Sequence, residues 1–442
     1  SFSADLDDAD APAYRGSFSA DLDTFHVDAC DDDTDEARAT GAPFVSGSPD
    51  EMTAAASAAV ARLGGLSGGG SGNGLPLQPA DFEPMLLLGR GAWSDVVLVR
   101  HRESRELFAM KVLSKHQIVS NEMQALASFE RDVLRKLRHP FLARLRYSFQ
   151  TPTRLYVVTD WYACGSLEDV LQDVAFKGAK QKPPRRGLGP DSAKLLVAEV
   201  ALGLEHLHSR SILHRDIKSA NVLICEKGHA HLADFGLSKE DRRGNPNAKA
   251  SPAKRPHAPS FVGTPSYMAP ELLLKDAHRN PKASDWWAVG VLFVEVVEGR
   301  SPFYADTPRQ LFINILRSQP VISFDDADYA RAAKSLLVKL PQDRADVRQL
   351  QQQSFFPSDY GPAWVHLQGK AISPKFVPSV RQAVSPSQRP SKDSKLIALF
   401  QDDVKTPKGS RLHFPGFSFR QAANALDRSD MDTRDSISSA ID

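Results

Sequence analysis

The stretch HRDIKSAN, residues 214–221, is followed by DFG at 234–236. Together they set Asp216, Lys218, Asn221 and Asp234 in two short loops, with the apolar run VLI after the first and HLA before the second. Working upstream, ALASFERDVLRKLR (125–138) carries Glu130 and places Leu126, Phe129, Val133, Leu134 and Leu137 at helical spacing. Before it, MLLLGRGAWSDVVLVRHRESRELFAMKVL (85–113) alternates Val- and Leu-rich runs with a polar turn, a strand–hairpin–strand pattern with Lys111 on its last run. RLYVVTD (154–160) is another strand. After Gly165 the texture turns helical, as in SAKLLVAEVALGLEHLH (192–208) and ASDWWAVGVLFVEVVEG (283–299). The expected class is α+β, with a small sheet-rich part followed by a larger helical part.

Gly89 and Gly91 bend the chain between two of the strands. A dinucleotide fold would start a helix at these glycines. Here Val96 to Val99 continue as a strand, so the bend is a hairpin folded over a ligand. Lys111 on the next strand and Glu130 on the next helix can pair facing it. Polyphosphate chemistry needs this set: an ammonium on the phosphates, oxygen ligands for Mg²⁺, and a carboxylate beside the attacking hydroxyl. One such coincidence is ordinary; five in this order are not.

At these residues the chain resembles the protein kinases. GRGAWSDV, AMK, Glu130, HRDIKSAN, DFG, the APE triplet Ala269–Glu271, Asp285 and Arg344 occur in that family's order over about residues 80–357. RHPFLARLRYSFQT, RLYVVTDW and SFVGTPSYMAPE are similar to the AGC group of serine/threonine kinases. The resemblance implies a bilobal fold: N-lobe about 82–159 with one key helix, hinge 160–165, α-helical C-lobe 166–357. The kinase domain as a whole would span 79–357.

The resemblance also implies roles. Lys111, steadied by Glu130, would hold the ATP phosphates; Asp234 and Asn221 would ligate Mg²⁺. Asp216 would accept the proton of a substrate serine or threonine, with Lys218 offsetting charge. Leu88, Gly89, Arg90, Gly91, Ala92, Trp93 and Ser94 would cover the nucleotide, the last standing where the family has a third glycine. Val96, Ala109 and Leu223 would sandwich adenine, with Thr159 behind it and the Asp160 and Tyr162 backbone on its edge. Leu134, Leu145, His214 and Phe235 match a hydrophobic column between the lobes. Ser166 and Ala220 stand where basophilic relatives carry acids, leaving Glu295, with Glu168 and Asp169 nearby as substitutes.

Ser260 occupies the position of the activation-loop phosphorylation site, its phosphate to be met by Arg215 and Lys239; Leu126 replaces the residue that often adds a third contact. KTPKGSRLHFPGFSF (405–419) resembles the turn and hydrophobic motifs of the AGC C-terminal tail, here 358–420, as in the ribosomal-protein and serum-responsive kinase subgroups. Thr406 or Ser410 would be the turn site and Ser418 the hydrophobic-motif site. Phe414, Phe417 and Phe419 would dock in a groove beside the Glu130 helix, with Gln150 near the Ser418 phosphate. Burial and ordering terms oppose each other closely there, so phosphate tips the balance.

Composition bounds the rest. The chain has 442 residues and a net charge of +1. Residues 1–40 carry twelve acidic side chains against two basic ones, and GGLSGGGSGNG (64–74) is a linker. Residues 1–78 and 421–442 are therefore expected to be disordered. Cys30, Cys164 and Cys225 are far apart and lack metal-type pairing, which fits the cytosol or nucleus. The longest apolar run contains Glu295 and is too short to cross a bilayer. Basic stretches at 175–187 and 240–259 read as solvated loops, without the aromatic series of a single-strand nucleic-acid binder. The partners implied are a protein substrate and an upstream activating kinase, the chain acting as a monomer with ATP and Mg²⁺. The rival readings are a pseudokinase and a tethering scaffold.

Overall fold

The computed structural model describes residues 77–91, 94–120, 124–179, 186–241, 264–274, 280–380, 389–401, 414 and 417–420. Ala92, Trp93, Ser260, Thr406 and Ser410 lie outside them, as do residues 1–76 of the leader and the tail 421–442. The side chain of Leu126 is likewise not described.

An antiparallel sheet opens the fold: β1 (Phe82–Arg90), β2 (Ser94–His101), β3 (Leu107–Ser114), β4 (Leu145–Gln150) and β5 (Arg154–Asp160). Its order is β1-β2-β3-β5-β4, and β10 (Phe419–Arg420), from the far end of the chain, adds a sixth strand beside β4. Side chains alternate across the pleat. On β3, Met110 and Val112 are buried in the core of one face, while Ala109 and Lys111 are only half-buried on the other. Lys111 lies opposite Val96 on β2 and Val157 on β5, at the middle of the sheet. Two helices follow β3: α1 (Lys115–Ser120) and α2 (Gln124–Lys136), whose Val133 and Leu134 are buried in the main core.

The helical lobe is built on two long helices among α3 (Leu167–Gly178), α4 (Pro190–Ser209), α5 (Pro270–Leu273), α6 (Pro281–Glu298), α7 (Pro308–Arg317), α8 (Ala327–Leu336), α9 (Val347–Gln351) and α10 (Val365–Gln368). α4 and α6 are buried along most of their length, and there their apolar residues run round the helix rather than along a stripe. Both begin with Pro in the first turn, where its missing N–H costs nothing. α6 stops at Gly299, whose φ of 71° is left-handed and whose Cβ, if present, would lie 2.4 Å from the Arg186 backbone. Glycine is required there on both counts. Four short strands, β6 (Ile212–Leu213), β7 (Val222–Ile224), β8 (Ala230–Leu232) and β9 (Lys239–Glu240), pair as β6–β9 and β7–β8 and frame the HRDIKSAN and DFG loops.

The C-terminal segment wraps the sheet. α11 (Ser394–Ala398) sets Leu396 against the core formed by Phe82, Val97, Met110 and Tyr156. Tyr156 donates its hydroxyl hydrogen to the Leu399 carbonyl. Phe414 and Phe417 are buried, Phe417 almost completely, with the Arg131 guanidinium of α2 over its ring at 5.4 Å and Lys115 over Phe414 at 5.7 Å. Phe419 lies in β10 and, though only half-buried, packs against the same core cluster as Phe414 and Phe417. Gln150 meets the tail through the Phe414 backbone. Its amide donates to the Phe414 carbonyl (2.8 Å) and accepts from the Phe414 N–H (3.1 Å), while Ser148 donates to the Phe417 carbonyl (2.6 Å). The reason is geometric: a strand added at the edge of β4 brings backbone, not the exposed Ser418 side chain, against these residues.

Phe417→Ala should therefore weaken docking of this segment by about 3 to 5 kcal/mol. Hydrogen exchange at the Phe419 and Arg420 amides should accelerate while protection in β3 persists; unchanged exchange at those amides would contradict the docking.

Candidate active site

Lys111 is the point where the two lobes meet. Its Nζ donates to Glu130 Oε1 on α2 at 2.8 Å and to Asp234 Oδ1 of the DFG segment at 3.3 Å. Burial works against the ammonium, but the two carboxylates outweigh it and hold Lys111 above its ordinary pKa. Lys111 in turn holds the Asp234 carboxyl below the usual carboxylate range, against a smaller opposing effect of burial. Asp234 has a left-handed φ of 58°, a strained conformation for a non-glycine residue, steadied by the Gly236 N–H donating to Oδ1.

The second cluster is the HRDIKSAN loop. Lys218 Nζ lies 2.8 Å from Asp216 Oδ2 and donates to Thr264 Oγ1 at 3.1 Å. Thr264 donates to Asp216 Oδ1 (3.3 Å), and Asn221 Nδ2 donates to Asp216 Oδ2 (2.9 Å) and to its carbonyl (2.8 Å). The loop itself is fixed by Asp285 of α6. That carboxylate is only 3 % exposed, and accepts from the backbone N–H of His214 (2.9 Å) and Arg215 (2.8 Å) and from His208 Nε2 (2.9 Å). Burial alone would raise its pKa; these donors turn the shift downward. Arg215, with a φ of 72°, is left-handed as well.

The remaining expected residues fall along the cleft-facing strands. Leu88 is half-buried on β1, Gly89, Arg90 and Gly91 are exposed at the hairpin, and Ser94 opens β2. The Gly91 N–H donates to the Ser94 carbonyl (2.7 Å), closing the bend. Val96, Ala109, Thr159 and Leu223 are half-buried, with Thr159 donating to the Ala109 carbonyl (3.5 Å). The Asp160 carboxylate pairs with Arg146, and the Tyr162 ring packs at a tilt on His231, centroids 4.5 Å apart. Leu134, Leu145 and Phe235 share one buried cluster, and His214 packs on Phe235.

The family model described as a protein kinase domain matches residues 82–356. The chain belongs to the protein kinase family. It is 38 % identical over 322 residues to the serine/threonine-protein kinase sck2 of Schizosaccharomyces pombe, covering 70 % of this chain and 45 % of that one. It is 36 % identical over 313 residues to a RAC family serine/threonine-protein kinase homolog of Dictyostelium discoideum, covering 70 % and 64 %. With the human serine/threonine-protein kinase Sgk2 the identity is 35 % over 354 residues, covering 77 % and 89 %. The chain thus spans less than two thirds of the length of two of these relatives and most of the third.

In this kinase domain, Thr264 and His208 are structural partners of the site that residue-type reasoning passed over. Thr264 is visible only as the threonine of GTPSY, with nothing local to tie it to Asp216. Asp169 accepts on Oδ2 from Ser166 N–H (3.0 Å) and Oγ (2.8 Å) in a capping box at the start of α3. Glu168 is exposed beside it. Glu295 accepts from Ser219 Oγ (3.3 Å) and from the Tyr267 hydroxyl, and burial pushes its carboxyl pKa up.

The raised Lys111 and the lowered Asp234 fix the sign of a pH dependence. The Lys111 contribution is complete below its ordinary pKa and fades only as pH rises past its folded value. The Asp234 contribution is complete above the ordinary carboxylate range and fades only in acid. The stability difference between wild type and Lys111→Met should therefore be flat from about pH 6 to about pH 9, as read by urea unfolding. A slope within that window would contradict the triad.

Proposed function

We propose that the chain is an ATP-dependent protein serine/threonine kinase, transferring the γ-phosphate of ATP to a hydroxyl of a protein substrate. The observation that carries this reading is the convergence of Lys111, Glu130 and Asp234 on one side of the cleft with Asp216, Lys218 and Asn221 in the adjoining loop. In this reading Lys111 holds the nucleotide phosphates. Val96, Ala109 and Leu223 enclose adenine, with Thr159 behind it and the Asp160 to Tyr162 backbone along its edge. The glycine hairpin covers the phosphates.

Asp216 orients the substrate hydroxyl and takes its proton, and its carboxylate is preset for that by Thr264, Asn221 and Lys218. The donor set also fits a hard divalent cation. Asn221 spends its amide hydrogens on Asp216, leaving a carbonyl oxygen, and Asp234 Oδ2 makes no hydrogen bond among the described residues. Two oxygen ligands of this kind suit Mg²⁺, which keeps water and phosphate in its remaining positions. When bound, Mg²⁺ would neutralise charge on the phosphates.

Regulation through the C-terminal segment belongs to the same proposal. Phe417 lies under Arg131, the neighbour of Glu130 on α2, so docking of the tail bears on the helix that holds Lys111. Phosphate on the exposed Ser418 would favour docking, and Ser260, Thr406 and Ser410 are the further candidate sites. The AGC-type tail and the dependence on an upstream kinase rest on this reading.

A peptide array incubated with the full chain, ATP and Mg²⁺ tests it. Serine or threonine peptides should be phosphorylated, and Asp216→Asn should reduce turnover by at least about a hundredfold while ATP binding persists. Turnover unaffected by that substitution, or absent from the wild type phosphorylated at Ser260 and Ser418, would overturn the assignment.

A further inference from the structure

Two free thiols stand on the two chain segments that border the expected adenine site. Cys164 lies two residues beyond Tyr162 in the hinge, and Cys225 two residues beyond Leu223, just past β7. These segments pair. Ser166 lies opposite Leu223 in an antiparallel bridge, the Ile224 N–H donates to the Gly165 carbonyl (2.9 Å), and the Cys164 N–H donates to the Ile224 carbonyl (3.2 Å). The Ile224 carbonyl carbon is bonded to the Cys225 nitrogen, so that last hydrogen bond holds the two cysteine Cα atoms within about 7 Å of each other. A disulfide spans that distance.

The two thiols differ in what can reach them. Cys164 is 1 % exposed and its Sγ donates to the Pro378 carbonyl (3.5 Å), whereas Cys225 is half-buried and open to a small oxidant. Burial, and after it the neighbouring Cys225 and Glu226, push the Cys164 thiol up, which makes it the poorer first nucleophile. One stretch of the C-terminal segment borders both. Pro378 meets Cys164, and Phe376 runs along the turn that Cys225 opens, where a Cβ on Gly228 would lie 2.9 Å from the Phe376 carbonyl.

We propose that Cys225 and Cys164 are a peroxide-responsive pair that closes to a reversible disulfide between the hinge and the strand carrying Leu223. The Cys225 thiolate attacks one oxygen of hydrogen peroxide, the O–O bond breaks, hydroxide leaves, and a sulfenic acid forms. Cys164 then gives up its proton and attacks the Cys225 sulfur; the S–O bond breaks and the hydroxyl departs as water. Two thiols and one peroxide become one disulfide and two waters, the sulfurs losing the two electrons that the peroxide gains. The new bond takes away the hydrogen that Cys164 donates to Pro378 and ties the backbone beside Tyr162 to the backbone beside Leu223. Adenine would sit between those two places, so oxidation weakens ATP binding. Formation of the bond is independent of phosphotransfer; the effect on ATP rests on the proposed kinase activity.

Peptide mapping of the full chain after hydrogen peroxide, with remaining thiols blocked and no reductant, tests the bond. One linked peptide joining Cys164 to Cys225 should appear, lighter by two hydrogens, and dithiothreitol should abolish it. Cys164→Ala should leave Cys225 as a sulfenic acid that a cyclic diketone traps, and Cys225→Ser should leave Cys164 unmodified. ATP affinity of the wild type should fall about fivefold or more on oxidation and recover on reduction, while that of Cys225→Ser should ignore peroxide. Both thiols still free after peroxide, a bond from either to Cys30 or to a second chain, or Cys164 oxidised first in Cys225→Ser would overturn the pair; the wild-type map decides this even if a variant fails to fold. A linked peptide with unchanged ATP affinity would overturn the coupling. A linked peptide in a protein that takes up no ATP even when reduced would instead sink the kinase reading and leave the thiol pair standing.

Discussion

Everything in the cleft depends on one ammonium held between two carboxylates from distant parts of the chain. Lys111 comes from the centre of the sheet, Glu130 from α2 and Asp234 from the loop after β8. Three separately folded elements must each be in place before the triad exists. The Glu130 side chain is 9 % exposed and Lys111 23 %, so their attraction is little screened; Asp234, 50 % exposed, is the looser member. That gradient suits a site in which the pair to Glu130 is structural and the Asp234 oxygens remain open toward solvent. Moving α2 by a few ångströms would separate Lys111 from Glu130 and leave a partly desolvated charge uncompensated, which is why the position of that helix matters more than its own stability.

α2 is held from two sides. Val133 and Leu134 face the core, and Arg131 lies over the ring of Phe417. The C-terminal segment is therefore part of the site's support. On the opposite wall, Asp285 plays the corresponding part: a buried carboxylate with three N–H donors fixes the start of the HRDIKSAN loop. Two of the left-handed residues, Arg215 and Asp234, stand where these supports act. Backbone strain persists at such positions only when the surroundings hold it.

The sequence makes some of this legible and hides the rest for identifiable reasons. Sheet, α2 and long helices follow from periodicity and composition, and the Lys111–Glu130 pair from the order of elements. The aromatic tail is visible because Phe414 and Phe417 stand out from a polar context. Its mode of docking is not: β10 is two residues long, and its pairing with Ser148 and Tyr147 spans more than half the chain. Gln150 shows the same limit, since its Phe414 partner stands 264 residues away. Asp169 could not be distinguished from Glu168 as a charge facing outward until the Ser166 capping box turned it inward. Thr264 and His208 are long-range partners with no periodic or spacing signal at all.

The measurement that tests the central claim most directly is a titration of the full chain with ATP, with and without Mg²⁺, for the wild type and Asp234→Asn. A cleft organised by the Lys111 triad predicts saturable uptake that Mg²⁺ strengthens in the wild type, with that strengthening lost on substitution. Uptake that ignores Mg²⁺ and the substitution, or no uptake at all, would mean that these three side chains meet for structural reasons only.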